Sequence, residues 1–137
     1  MKYRCFTLLC ALFAVIALLS GCKYHEKKYY ANFDHFITEE AVVENIIYNE
    51  EDHYIALWLD ELDAAYQDNS FIIRSHNTDV VLENDLLDTL QIGDTITFTS
   101  APQIFGDGYM MPIVGLSIEG KELLNINTGY QNLMNMY

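Results

Sequence analysis

The sequence is short of basic residues, cysteine and proline. Seven Lys and Arg stand against twenty Asp and Glu. A surface this acidic repels phosphate and has few cations with which to release counterions, which excludes nucleic acid as an ordinary partner. Two of the three Cys, Cys5 and Cys10, fall in the first 21 residues. Cys22, beyond them, has no partner for a disulfide framework. Pro102 and Pro112 are the only prolines, and there is neither a Ser/Pro-rich linker nor an internal repeat. What is present divides in two. Residues 1–21 are strongly apolar and carry Lys2 and Arg4. The remaining 116 residues hold five basic against twenty acidic side chains, a net charge of −15. That length suits one domain and is too short for two with ordinary cores.

Lys2 and Arg4 make a positive start, followed by 15 residues from Cys5 to Leu19 with Thr7 as the only polar one. A membrane-spanning helix needs about 20 apolar residues, so the run is short for a permanent span and suits an export signal. Leu19-Ser20-Gly21-Cys22 follows, and it resembles the lipobox of bacterial lipoproteins. The resemblance implies diacylglycerol on the Cys22 sulfur, removal of residues 1–21, and a palmitate-bearing protein held on the cell membrane facing away from the cytoplasm. An uncleaved signal anchor and an ordinary cleaved signal peptide are the alternatives.

Residues 22–37 read as a lipidated tether. Lys23, Lys27 and Lys28 lie close to the anchor, where each adds about 1 kcal/mol of attraction to an anionic surface. Beyond Lys28 only Arg74 and Lys121 are basic, against nineteen acids, a net −17. The domain, residues 38–137, is thus expected to stand off the membrane. Tyr24, Tyr29, Tyr30, Phe33 and Phe36 make this tether unusually aromatic, and its later half is expected to pack on the domain.

From residue 38 the pattern is mainly β. Strands are predicted at Ala41–Tyr48, Tyr54–Asp60, Phe71–Arg74, Thr95–Thr99, Tyr109–Ile118 and Lys121–Leu124. Asn84 as N-cap with Leu86, Leu87 and Leu90 predicts a short helix over 84–91. Thr128 and Gln131 form a capping box ahead of a short terminal helix. In the fifth strand Val114, Leu116 and Ile118 alternate against Gly115, Ser117 and Glu119. The order β-β-β-α-β-β resembles the OB-fold, which implies a small β-barrel with a helix between strands three and four. A small α+β sandwich is the alternative. The segments Thr97–Pro102 and Phe105–Tyr109 are also similar to stretches in uncharacterised lipoproteins of Gram-positive bacteria.

The candidate surface is on strand two. With Ile55, Leu57 and Leu59 inward, Tyr54 and Trp58 share the other face, and Ala56 is expected to leave a gap between the rings. Such rings form a stacking platform or a protein anchor. The OB-fold resemblance places the loop Phe105-Gly106-Asp107-Gly108-Tyr109 beside that face, making Phe105, Asp107 and Tyr109 further candidates. Acidic turns at Glu50-Glu51-Asp52 and Asp60-Glu61-Leu62-Asp63 are read as solvated surface, with Ca²⁺ binding as the alternative. His25, His35, His53 and His76 form no HExxH or HxH pair, so no metal site is assigned. Ser100 and Ser117 lack a nucleophile-elbow setting. The reading is a membrane-anchored, non-catalytic binding or interaction module without cofactor, contacting an envelope protein or a small ligand. A ligand-free structural envelope component is a further alternative.

Overall fold

Short runs of alternating apolar residues favour strands that pair through their backbones and bury one face. The computed structural model describes residues 24–105 and 110–137. It is mainly β, with six strands and a C-terminal helix. The strands are β1 (Ile37–Asn49), β2 (Tyr54–Asp60), β3 (Ser70–Arg74), β4 (Thr95–Ser100), β5 (Met111–Ile118) and β6 (Lys121–Leu124). Helical residues 24–31 form α1, followed by a 3-10 turn at Phe33–His35. Helices α2 (His76–Glu83) and α3 (Leu86–Thr89) lie between β3 and β4, and α4 (Ile126–Met134) follows β6.

All six strands join one sheet in the order β3-β2-β1-β4-β5-β6. The neighbours in that order pair antiparallel. In addition β3 pairs parallel with β5, through Phe71–Met111 and Ile72–Pro112. The pairings therefore run β1–β2–β3–β5–β4 and back to β1. The inward side chains, among them Ile55, Leu57, Leu59, Phe71, Ile73, Ile96, Phe98, Met111 and Ile113, make the main core. Phe71 and Phe98 meet edge to face at 5.1 Å, and Tyr66 from the loop before β3 stands edge-on to Phe71 at 5.2 Å.

A second apolar cluster lies outside the sheet. It joins Tyr30 of α1, Ala101, Val114 of β5 and Leu133 of α4, with Tyr29, Phe36, Phe105, Tyr130, Met134 and Tyr137 packed on them. Tyr30 is 2% exposed. Residues 24–36, expected within the tether, thus lie against the domain. The Tyr130 hydroxyl donates to the Tyr30 carbonyl at 2.7 Å. That second cluster also corrects the reading of β5. Val114 does not share the inward side with Leu116 and Ile118; it faces α4. The register shift opposite Thr99 and Ser100 supplies the change of side.

Two helices start earlier than the sequence indicates. Asn84 is not the N-cap of a helix over 84–91 but the C-cap of α2, and its side-chain amide donates to the Leu123 carbonyl at 3.0 Å. Asp85 then turns left-handed (φ 62°), which divides α2 from α3 and leaves Leu86 buried while Leu87 is exposed. Helix α4 is capped by Asn125, whose side-chain oxygen accepts from the Asn127 and Thr128 amides, and so starts ahead of the expected Thr128. The fifth strand starts at Met111; residues 106–109 lie outside the described residues.

Helix α4 lies very close to β5. A Cβ added at Gly129 would sit 1.9 Å from the Val114 carbonyl oxygen. Helix propensity alone favours alanine there by about 1 kcal/mol. The backbone clash outweighs it, so Gly129→Ala is expected to lower stability by about 1–3 kcal/mol, read from urea unfolding. A stabilised variant would mean that α4 does not seat on β5 this closely.

Burial raises the pKa of Tyr30, Tyr66 and Tyr137 well above the ordinary 10.0, with Glu26 adding to the effect at Tyr30 and Tyr137 and Glu39 at Tyr66. The folded protein keeps these three protons after the unfolded chain has begun to release its own. Their contribution to stability is complete below pH 10 and falls as the pH rises beyond it. In an absorbance titration of tyrosinate, these three are expected to ionise only together with loss of near-ultraviolet circular dichroism. Ionisation of every tyrosine with that signal intact would contradict their burial.

Candidate functional site

Strand β2 alternates as its sequence indicates. Ile55, Leu57 and Leu59 are fully buried inward, and Tyr54, Ala56, Trp58 and Asp60 point out. Register extends the outward set onto both neighbours. Asn49, Tyr54 and Arg74 form one row across β1, β2 and β3. Ile47, Ala56 and Ile72 form the next, and Asn45, Trp58 and Ser70 the third. A β-bulge at Val43–Asn45 sets the phase of β1, so that Asn45, Ile47 and Asn49 reach the outside while Ile46 and Tyr48 pack on the core.

Tyr54 and Trp58 are half-buried, as is Ile72, and Ile47 is 47% exposed. None of these four belongs to either apolar cluster. The expected gap between the two rings is closed: Ala56 is only 1% exposed. A small residue flanked along and across the strands by Tyr54, Trp58, Ile47 and Ile72 is covered by its larger neighbours. The surface therefore has an apolar centre without a slot for a flat ring, with Asn45, Asn49, Ser70 and Arg74 at its corners. Asn49 donates to the Tyr54 hydroxyl at 3.4 Å.

Arg74 ends the first row and ties it to α1. Its Nη2 donates to the Tyr137 hydroxyl at 3.2 Å and lies 3.5 Å from Glu26 Oε1. The Tyr137 hydroxyl donates to the same Glu26 oxygen at 2.5 Å. Arg74 and Glu26 side chains are 23% and 19% exposed, and the Arg74 Nε is buried without a partner. The network links α1, β3 and the residues after α4. Sequence reading missed it, since Glu26 and Arg74 are 48 positions apart. The only signal was that Arg74 is one of two cations after Lys28.

The other candidates are placed as follows. Phe105 is not beside Trp58; its ring lies 5.3 Å from Tyr29 and 5.6 Å from Tyr30, within the outer cluster. Cys22, Asp107 and Tyr109 lie outside the described residues. The acidic residues of the turns, Glu50, Glu51, Asp52, Asp60, Glu61 and Asp63, are all exposed. Among the described residues no group of three or more His, Cys, Asp or Glu is arranged to hold a metal. His53 and His76 do approach a common group, Asp79 of α2, at 2.6 and 3.8 Å. With the Thr78 hydroxyl donating to the His53 carbonyl, this contact fastens the β1–β2 turn to α2. Ser100 is fully buried and its hydroxyl donates to the Pro112 carbonyl at 2.7 Å, which leaves it a structural role. Among the described residues no helix is long and apolar enough to cross a membrane.

No protein-family model, no curated protein and no solved structure matches the chain.

Because Glu26 is the acidic partner of a mostly covered Arg74, its removal strands a cation. Glu26→Ala is expected to cost about 1–3 kcal/mol, allowing for partial screening by solvent. The loss should also open α1 to proteases at Lys27 and Lys28. Unchanged stability and protease resistance would mean that the network does not hold α1.

Proposed function

We propose that the protein is a lipid-anchored, extracytoplasmic contact module: an OB-like barrel that binds through the outer face of β1, β2 and β3 and carries out no catalysis. The observation that carries the reading is the three-row face itself. Tyr54, Trp58, Ile47 and Ile72 stand outside both apolar clusters, on rigid strands, in register across three of them. Large side chains left half-covered on a regular sheet are the composition of a recognition surface.

The OB-like assignment is supported by the circuit of pairings through the parallel β3–β5 contact and by the helices between β3 and β4. The anchor is supported by the charge, apolar run and Leu19-Ser20-Gly21-Cys22 of the N-terminus. Metabolic labelling with palmitate is expected to mark the wild type and to fail for Cys22→Ser; equal labelling would remove the anchor from Cys22.

The face is tested by placing a photocrosslinking residue at Ile47, or at exposed Ile92 as control, in intact cells. Adducts with an envelope component are expected from position 47 and not from 92. Replacing both Tyr54 and Trp58 by alanine should reduce them about tenfold or more, the scale of losing a hot-spot pair. Equal adducts from both positions would mean that the β1–β2–β3 face is not the contact surface.

A further inference from the structure

From the position of the face relative to the anchor, we infer that its partner is the lipid bilayer: Trp58, Tyr54 and Ile47 form a seat on which the domain rests at headgroup level. This rests on the lipid-anchored reading of Cys22.

Reach is the first argument. Glu26 is fixed to Arg74 and Tyr137, and Arg74 ends the row that contains Tyr54. Cys22 is four residues before Glu26, so its Cα lies within about 15 Å of that of Glu26 even at full stretch. The face measures roughly 10 Å across three strands and roughly 13 Å from Tyr54 to Trp58. A lipid on Cys22 therefore keeps the Arg74 end of the face within about 30 Å of the lipidated residue, close enough for the domain to settle on the bilayer. No long tether remains, because residues 24–36 are packed on the domain.

Composition is the second. Nineteen acids follow Lys28, yet none occupies the nine outward positions of the three rows, which include one cation, Arg74. Trp and Tyr are the side chains that settle at a membrane–water interface, apolar ring inward and polar atom in the headgroups. Tyr24 is 62% exposed just two positions after Cys22, and exposed Lys27 and Lys28 follow it. Those lysines attract anionic headgroups.

Tethering favours the membrane as occupant: a surface already linked to the bilayer needs little area of its own, because its local concentration is set by the link.

Trp58 is the single tryptophan of the chain, so its fluorescence reports this face alone. The experiment reconstitutes the full-length protein, with lipid on Cys22 verified by mass, into vesicles of mainly phosphatidylcholine with some phosphatidylglycerol. One set carries bromine on the acyl chains. Brominated lipid is expected to quench Trp58 about twofold relative to unbrominated lipid, as for an interfacial indole. Ile47→Glu, a change at an exposed position, should abolish that quenching. No quenching in lipidated wild-type protein would overturn the inference and leave the anchor standing. Quenching that persists in Ile47→Glu would also overturn it, by showing proximity without seating. Shielding of Trp58 that appears only in native envelopes would assign the face to a protein. A protein without lipid on Cys22 would fail the anchored reading, and this inference with it.

Discussion

The arrangement depends on one close contact, between Gly129 and the Val114 carbonyl. Without a side chain at position 129, α4 lies flush against the outside of β5. That places Tyr130, Leu133 and Tyr137 where they form the second apolar cluster with Tyr30, Phe36 and Phe105. The cluster gives α1 a surface on which to fold, and α1 then delivers Glu26 to Arg74 and Tyr137. A short helix in isolation is marginal in water, so α1 owes its existence to this docking. A steric fact at one glycine is thereby passed along, through packed rings and one ion pair, to the region where the sequence reads as an anchor.

The same packing explains why one part of the sheet exterior is left open. Helices α1 and α4 occupy the outside of β5 and reach the end of β3 at Arg74. The outside of β1 and β2 receives neither, and Tyr54, Trp58 and Ile47 remain there outside both clusters. The inward residues of these strands are fully or largely buried, so the strands carry the face on a rigid support. The left-handed turn at His53, held through Thr78 and Asp79, fixes the end from which β2 departs.

Legibility from sequence followed the strength of local pattern. Strand β2 was read to its last residue, since strict alternation has one meaning, and so was which side of it Tyr54 and Trp58 occupy. The helix expected over 84–91 was misplaced because Asn84 is as good at a helix C-terminus as at an N-cap, and it closes α2. Val114 was placed on the wrong side because a register shift between paired strands leaves no mark in local alternation. The closure over Ala56 and the union of Glu26, Arg74 and Tyr137 depend on residues distant in sequence, which no local window contains. The aromatic content of residues 24–36 was the one visible sign that a segment read as a tether would be drawn into the fold.

The charge distribution gives the proposed orientation a physical basis. A body of net −17 beyond Lys28 gains nothing by approaching an anionic membrane, and salt limits its repulsion to roughly a Debye length, about 8 Å. On the lipid-anchored reading, a link only a few residues long keeps the domain close to that range. In the proposed orientation the domain turns one side to the surface, and the outer face of β1, β2 and β3 carries its carboxylates only at the rim. Around the face, Asp52, Asp60 and Asp68 are exposed and can remain in the aqueous layer. Within it, the charged contribution is a single guanidinium already neutralised by Glu26. The strong acidity elsewhere therefore selects a seating direction: it penalises every orientation that would press the acidic turns into the headgroups. On the proposed reading, what the composition presents as general repulsion becomes, once α1 shortens the link, an orienting preference for the face of Trp58 and Tyr54.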